Sequence, residues 1–223
     1  SINSSSGKLG MIIANELLKE DSVDTLYYLC SKTAFRPIHD KVKVIEIGGT
    51  MDLKEKVENI LTQTKIDCFI HSMAVSDYMV DYVSTASLLA QAIEENKDNN
   101  LITTIKENKN TIQANKISSH EDNLMIMLKP TPKIISLIKT ISPKTYLVGF
   151  KLLDQVSEEE LIEVATNLKN KNHCDLVVAN DLNNIRMGNH KAFIIGENEQ
   201  EVANGKEDIA KKLVKRIHTD GIL

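Results

Sequence analysis

Cys174-Asp175-Leu176-Val177-Val178-Ala179-Asn180-Asp181-Leu182 holds an apolar run, Leu176 to Ala179, that stops on Asn180 and Asp181. A run this short, rich in β-branched residues and closed by polar ones, reads as a buried strand of a parallel sheet. In open α/β sheets, ligands sit outside the carboxyl ends of such strands. The pattern occurs twice more. Phe69-Ile70-His71-Ser72-Met73-Ala74-Val75 runs into Ser76-Asp77-Tyr78, and Tyr146-Leu147-Val148-Gly149-Phe150 runs into Lys151. Three such strands predict one site along one edge of one sheet.

Outward from that strand, the chain alternates between strand and helix, the signature of a parallel α/β sheet. Strands are expected over Asp24 to Ser31, Val42 to Ile47, Asp67 to Val75 and Thr145 to Phe150, with an amphipathic helix over Met51 to Thr64. Ser157 caps a helix reaching about Lys169, with Glu160 at the capping-box position. Ala192 to Ile195 and Gln200 to Ala203 form a terminal hairpin, and Lys206 to Thr219 a closing helix. An irregular insertion at about residues 76–144 breaks the alternation. It offers a helix over Ser87 to Glu95, a short strand over Leu101 to Ile105, and extended stretches over Ile112 to Ile117 and Asn123 to Leu128. Lys133 to Lys139 is a short helix, with Pro132 in its first turn. We read residues 1–223 as a single domain carrying a flap or dimerisation region.

Composition narrows the class. A net charge of -4 without a dense lysine block argues against a nucleic-acid binder. No apolar stretch approaches the roughly 18 residues a membrane span needs, and Ser1 to Gly10 does not read as a signal peptide. Cys30, Cys68 and Cys174 lie far apart without metal or CxxC spacing, so reduced thiols in a cytoplasmic protein are expected. Trp is absent and aromatics make up 4%, so the core is Ile, Leu and Val.

Near the start, Ser4-Ser5-Ser6-Gly7-Lys8-Leu9-Gly10 runs into a helical stretch, Met11 to Leu18. It suits an anion cradle at a helix amino end and equally a plain serine cap. An α/β fold usually places a strand before such a loop, so one is expected upstream of Ser1. Tyr28 and Lys32 have the YxxxK spacing of short-chain dehydrogenases, but on a strand, where the gap does not align them. There is no GxGxxG and no P-loop, which weakens a nicotinamide-dependent oxidoreductase as the alternative function. His71, His173 and His190 are isolated and form no zinc pattern. Asp77 and Asn180, just past buried strands, suit a base edge, a ribose or a reacting group. Lys116, Lys129, Lys133, Lys151 and Lys171 would suit a polyphosphate if they converge.

Several stretches together resemble phosphopantothenate–cysteine ligase, also called phosphopantothenoylcysteine synthetase. They are Asn3-Ser4-Ser5-Ser6-Gly7-Lys8-Leu9-Gly10, Ala74-Val75-Ser76-Asp77-Tyr78, Lys116-Ile117, Lys129-Pro130-Thr131-Pro132-Lys133-Ile134, Val148-Gly149-Phe150 and Ala179-Asn180-Asp181-Leu182. Their order and spacing match along nearly the whole chain. Phe150 to Asp154 and the insert after Tyr78 favour the stand-alone form of streptococci and enterococci. The resemblance implies a Rossmann-like, mostly parallel sheet flanked by helices, and a homodimer. It implies the joining of 4′-phosphopantothenate and L-cysteine, with CTP and Mg2+, through an acyl-cytidylate. Asn3 matches the residue holding the acyl group, and Ser6 and Gly7 share its loop. Lys116 matches the flap lysine that forms the acyl nucleotide. Asp77, Ala74, Pro132, Lys133, Ile134, Ile135 and Phe150 match nucleotide-binding positions. Lys171 matches a triphosphate-binding lysine, with Lys169 and Asn172 as the alternatives. In that family a strand, a Gly-Gly-Thr turn and an arginine precede the serine loop. A molecule without them is expected to lack a central strand and to be inactive. A non-catalytic nucleotide-binding module is a third reading.

Overall fold

The structure is a computed structural model that describes residues 6–108, 110–112, 123–186 and 190–223. In chain order its elements begin with α1 (Lys8–Leu17), β1 (Leu26–Cys30), β2 (Val42–Glu46), α2 (Thr50–Gln63) and β3 (Cys68–His71). Then come β4 (Tyr78–Thr85), α3 (Ala86–Glu95), α4 (Leu101–Lys106), β5 (Leu124–Pro130), α5 (Ile134–Ile141) and β6 (Tyr146–Leu153). The last are α6 (Glu158–Asn172), β7 (Leu176–Asp181), α7 (Leu182–Arg186), β8 (Lys191–Ile195), β9 (Gln200–Asn204) and α8 (Lys206–Thr219). The chain divides into two compact units, Ser1–Val75 with Pro132–Leu223, and Ser76–Thr131.

The first unit is the α/β architecture, a mostly parallel sheet flanked by helices. β1 and β2 form a parallel pair, and β3-β6-β7-β8-β9 form a five-stranded sheet. Among the described residues no ladder joins the two sets. β3, β6 and β7 run parallel, while β8 and β9 add an antiparallel hairpin at one side. The Leu176–Asp181 strand is therefore parallel only toward β6. Two strand ends differ from expectation. β3 stops at His71, well short of Val75. β6 continues past Phe150 because Lys151, Leu152 and Leu153 pair with Ala179, Asn180 and Asp181.

Both faces of this sheet are covered, which is why its strands read as unbroken apolar runs. On one face Leu147, Val177 and Ala179 pack with Leu53, Val57 and Leu61 of α2, Ile134, Ile135 and Ile138 of α5, and Leu161 and Ala165 of α6. On the other, Val148, Leu176 and Val178 pack with Ile13 of α1 and Ile209, Leu213 and Ile217 of α8. Each such Val, Leu or Ile side chain contributes about 1.5–3 kcal/mol relative to exposure. Ser157 caps α6 as expected, accepting from Glu160 N at 3.1 Å. The carboxylate engaging the Ser157 hydroxyl is that of Glu159, held below its usual range by its own backbone amide and then by Ser157.

The second unit is an antiparallel β4–β5 ribbon with α3 and α4. β4 was not foreseen from sequence, and the expected strand at Leu101 to Ile105 is the helix α4. The cause is local. The Asn100 side chain accepts from Ile102 N at 2.9 Å and Thr103 N at 3.4 Å, which satisfies two amides that a first helical turn leaves open. Ile112 N donates to Val83 O at 2.8 Å, but the rest of the Ile112 to Ile117 stretch lies outside the described residues.

Candidate active site

The carboxyl ends of β3, β6 and β7 form one edge of the first unit, closed by His71, Leu153 and Asp181. α1 starts at the same edge, since a Cβ built on Gly10 would stand 3.5 Å from Ser72 Oγ, just past β3. Gly7 is its N-cap at φ 74, and a Cβ there would stand 3.0 Å from that of Ala34. The left-handed turn and the crowding both require glycine. The loop is held from β1. Phe35 N donates to Ser6 O at 3.0 Å, and the Tyr28 hydroxyl donates to Phe35 O at 3.1 Å and Gly7 O at 3.5 Å. Burial first, then the charge of Cys30, pushes the Tyr28 phenol up to about 12, so it remains a donor. Among the described residues the Ser6 hydroxyl accepts from Lys8 N, at 3.4 Å. The N-cap Gly7 supplies no side chain, and the α1 amides face the edge with their partial positive charge.

The site residues fall on different sides of the sheet. Phe150 packs with the α1–α8 cluster. Asn180 follows Val178 by two residues and so shares that face. Ile134 and Ile135 belong to the opposite cluster, and their side chains are core. What α5 can offer a ligand is therefore backbone. Its N-cap is Lys133, which makes no side-chain cap bond, and Pro132 stands one residue before the cap rather than in the first turn. Ala74 is exposed in the loop after β3.

Asp181 serves the backbone. It is buried, and its carboxylate accepts from Val156 N at 2.9 Å, Asn183 N at 2.6 Å and Gln155 N at 3.4 Å. The bond from Val156 leads the causes that hold it below the usual carboxylate range. It shapes the β6–α6 loop, where Gln155 sits at φ 59, and has little left for a nucleotide. α6 leaves the carboxyl end of β6 and returns over 15 residues to the amino end of β7. That puts Lys171 and Lys169 on the order of 20 Å along the helix from the edge. Asn172 is buried there and donates to Leu168 O at 2.9 Å.

In the second unit Asp77 is exposed just before β4, and its carbonyl accepts from Thr131 N at 2.9 Å. Asn3 and Lys116 lie outside the described residues. The Tyr28 anchor and the Asp181 loop were missed from sequence. Two cavities, of about 430 and 580 Å³, open at the amino ends of the strands, lined among others by Leu176 and Arg216, and by Tyr146, Lys169 and Asp220. They are not at the edge described above. The three cysteines are free, and burial pushes Cys68 up to about 12 and Cys174 to about 11, so neither is a ready thiolate. Among the described residues no group of three or more His, Cys, Asp or Glu could hold a metal ion. No described helix is long and apolar enough to cross a membrane.

Residues 1–112 and 107–220 match the model of the DNA/pantothenate metabolism flavoprotein C-terminal domain. The coenzyme A biosynthesis bifunctional protein CoaBC of Thermococcus kodakarensis is 33% identical over 211 residues, 95% of this chain but 41% of that protein. The chain thus spans about two fifths of that relative. The crystal structure of the DNA/pantothenate metabolism flavoprotein from Streptococcus pneumoniae is 35% identical, with a TM-score of 0.80 over 98% of this chain and 90% of that one. A Cab2 variant, solved in complex with phosphopantothenate-cysteine, shares the fold at 12% identity, with a TM-score of 0.65 over 98% of this chain and 78% of that one.

Proposed function

The chain belongs to the DNA/pantothenate metabolism flavoprotein C-terminal domain family, and from that premise we propose that it is a phosphopantothenate–cysteine ligase of coenzyme A biosynthesis. The observation carrying this reading is 33% identity to CoaBC along 95% of the chain. The carboxyl edge supports it, with a glycine turn and helix-end amides beside a parallel sheet. The relatives give no support to the oxidoreductase alternative.

The reaction we assign consumes CTP. A carboxylate oxygen of 4′-phosphopantothenate attacks the α-phosphorus, and pyrophosphate leaves. The amine of L-cysteine then attacks the acyl carbon, the bond to CMP breaks, and the amine loses a proton. Two anionic reactants must meet in the first step, so helix-end amides and lysines offset charge as it develops. We assign the α1 amides with Ser6 and Gly7 to an anionic group of the acyl substrate, and Asn3 to the acyl oxygen. Lys116 is assigned to acyl-nucleotide formation. Asp77, Ala74, Phe150 and the backbone of Pro132 to Ile135 are assigned to the nucleotide. Magnesium accompanies the triphosphate. The described residues do not by themselves build a centre for it. No enzyme nucleophile is needed.

We also assign the homodimer to the β4–β5 ribbon, where Val80, Ile126 and Leu128 are each more than half exposed. Contiguous exposed apolar surface of this kind marks association sites.

The decisive assay follows pyrophosphate release from CTP, which should require phosphopantothenate, and amide formation, which should require cysteine. CTP turnover without pyrophosphate overturns the reading. Rapid-quench analysis should find no acyl-cytidylate with Lys116→Gln. With Asn3→Asp, the intermediate should form but convert slowly.

A further inference from the structure

His71 closes β3 at the carboxyl edge and pairs in register with Gly149 of β6. Residues paired across a ladder project to the same face. The face of Gly149 is fixed by its surroundings, since a Cβ there would stand 3.1 Å from Ile135 Cδ1, 3.3 Å from Cys174 Sγ and 3.4 Å from Val177 Cγ2. His71 therefore lies on the α5 side. The missing side chain at Gly149 lets the start of α5 close down on the strand end beside it. Phe69 flanks the imidazole, with ring centroids 6.4 Å apart and planes tilted by 49°.

Burial pushes this imidazole down to about 4, so near neutral pH it is uncharged, with one N–H donor and one bare acceptor nitrogen. Among the described residues Phe69 is the aromatic ring beside it, and neither nitrogen has a hydrogen-bond partner. The residue is not sealed, keeping intermediate exposure. A largely desolvated polar group at the carboxyl end of its strand, without a partner among the described residues, is costly unless something else meets it. A phosphate would favour the charged imidazolium, against burial. An uncharged polar partner has no such conflict.

We propose that His71 orients the bound nucleotide, its imidazole hydrogen-bonding an uncharged polar group, a ribose hydroxyl or the nucleobase edge, rather than a phosphate oxygen. This rests on the ligase reading of the same edge. The test compares His71→Leu, which keeps bulk but no hydrogen bond, with His71→Asn, which keeps the bond. His71→Leu should raise the KM for CTP about tenfold and change kcat less than about threefold, and His71→Asn should recover most of the loss. Repeating the titration with 2′-deoxy-CTP separates the sources. If the effect of His71→Leu vanishes there, the ribose is the partner, and if it persists, the base. An unchanged KM in His71→Leu overturns the proposal.

Nitrogen NMR of wild-type His71 provides a readout independent of the variants and of turnover. CTP should shift its ring signals while the ring stays neutral, and pyrophosphate should not. Signals unmoved by CTP, or an imidazolium pattern on binding, refute it. A wild-type protein that binds CTP at His71 but releases no pyrophosphate would refute the ligase and leave this proposal standing.

Discussion

The five-stranded sheet and the β4–β5 ribbon are built on opposite terms. In the sheet, Leu147, Val148, Val177, Val178 and Ala179 are fully buried, and both faces carry helices. In the ribbon the apolar residues Val80, Ile126 and Leu128 face outward, while Ser84 and Thr85 are buried. The ribbon is held by polar bonds, Ser84 Oγ to Asn110 O at 2.7 Å and Tyr82 Oη to Ile105 O at 2.6 Å. It also buries Thr104 Oγ1, Asn110 Nδ2 and Thr131 Oγ1 without partners among the described residues. A covered sheet is stabilised by the area it removes from water. A two-stranded ribbon is marginal by itself. The difference teaches that the edge carrying the glycine turn and His71 belongs to the part that fixes its own geometry, whereas the ribbon leaves apolar side chains in water and relies on polar bonds.

Mutations can break that contrast. Leu147→Ala should cost about 2–5 kcal/mol in urea unfolding of the whole protein, through lost burial and the cavity left behind. A loss below about 1 kcal/mol would mean the sheet core is not tightly packed. Acid should sharpen the contrast next. His71 binds its proton less readily folded, at about 4, than its ordinary 6.5. Its contribution is full above 6.5 and is lost as pH falls toward 4, at most about 3 kcal/mol. Unfolding followed across that window should be less pH-dependent in His71→Asn than in the wild type. The depressed carboxylates of Asp52, Glu159, Asp181 and Asp208 lose their contributions mainly toward the acid end of that window and below it, equally in both proteins, so the difference isolates His71. Asp181→Asn should cost about 2 kcal/mol, because the charge-assisted bonds holding the Gln155–Val156 turn weaken. A thermal melt would measure it. Smallest in folding stability, Ile126→Lys should change the unfolding free energy by less than about 0.5 kcal/mol. It should convert a dimer to monomer in light scattering. A dimer that survives it would separate the ribbon from assembly.

Much of the sheet was legible because burial on two faces writes itself as continuous apolar runs. The closing helix was read at its bounds, Lys206–Thr219. The ribbon was not legible. β4 carries Asp81 and Tyr82 among its residues and buries little apolar surface, so no core-directed pattern marked it. The β-branched Ile102-Thr103-Thr104 favoured a strand, and the Asn100 cap overrode that preference. At the site, the role of Asp181 was not legible because a polar residue past a strand looks the same whether it meets a nucleotide or its own backbone.

β9 is the outermost strand on its side of the sheet, and an outer strand offers unpaired backbone groups to any other chain. Here the offer is poor. Gln200, Glu201 and Asn204 are exposed along it, and Lys212 covers the Val202 carbonyl at 2.6 Å while pairing with Glu201 at 3.8 Å. The hairpin that interrupts the parallel order also guards against fibril-like stacking in crowded solution. That leaves the protein free to expose an apolar ribbon elsewhere without inviting association along every border.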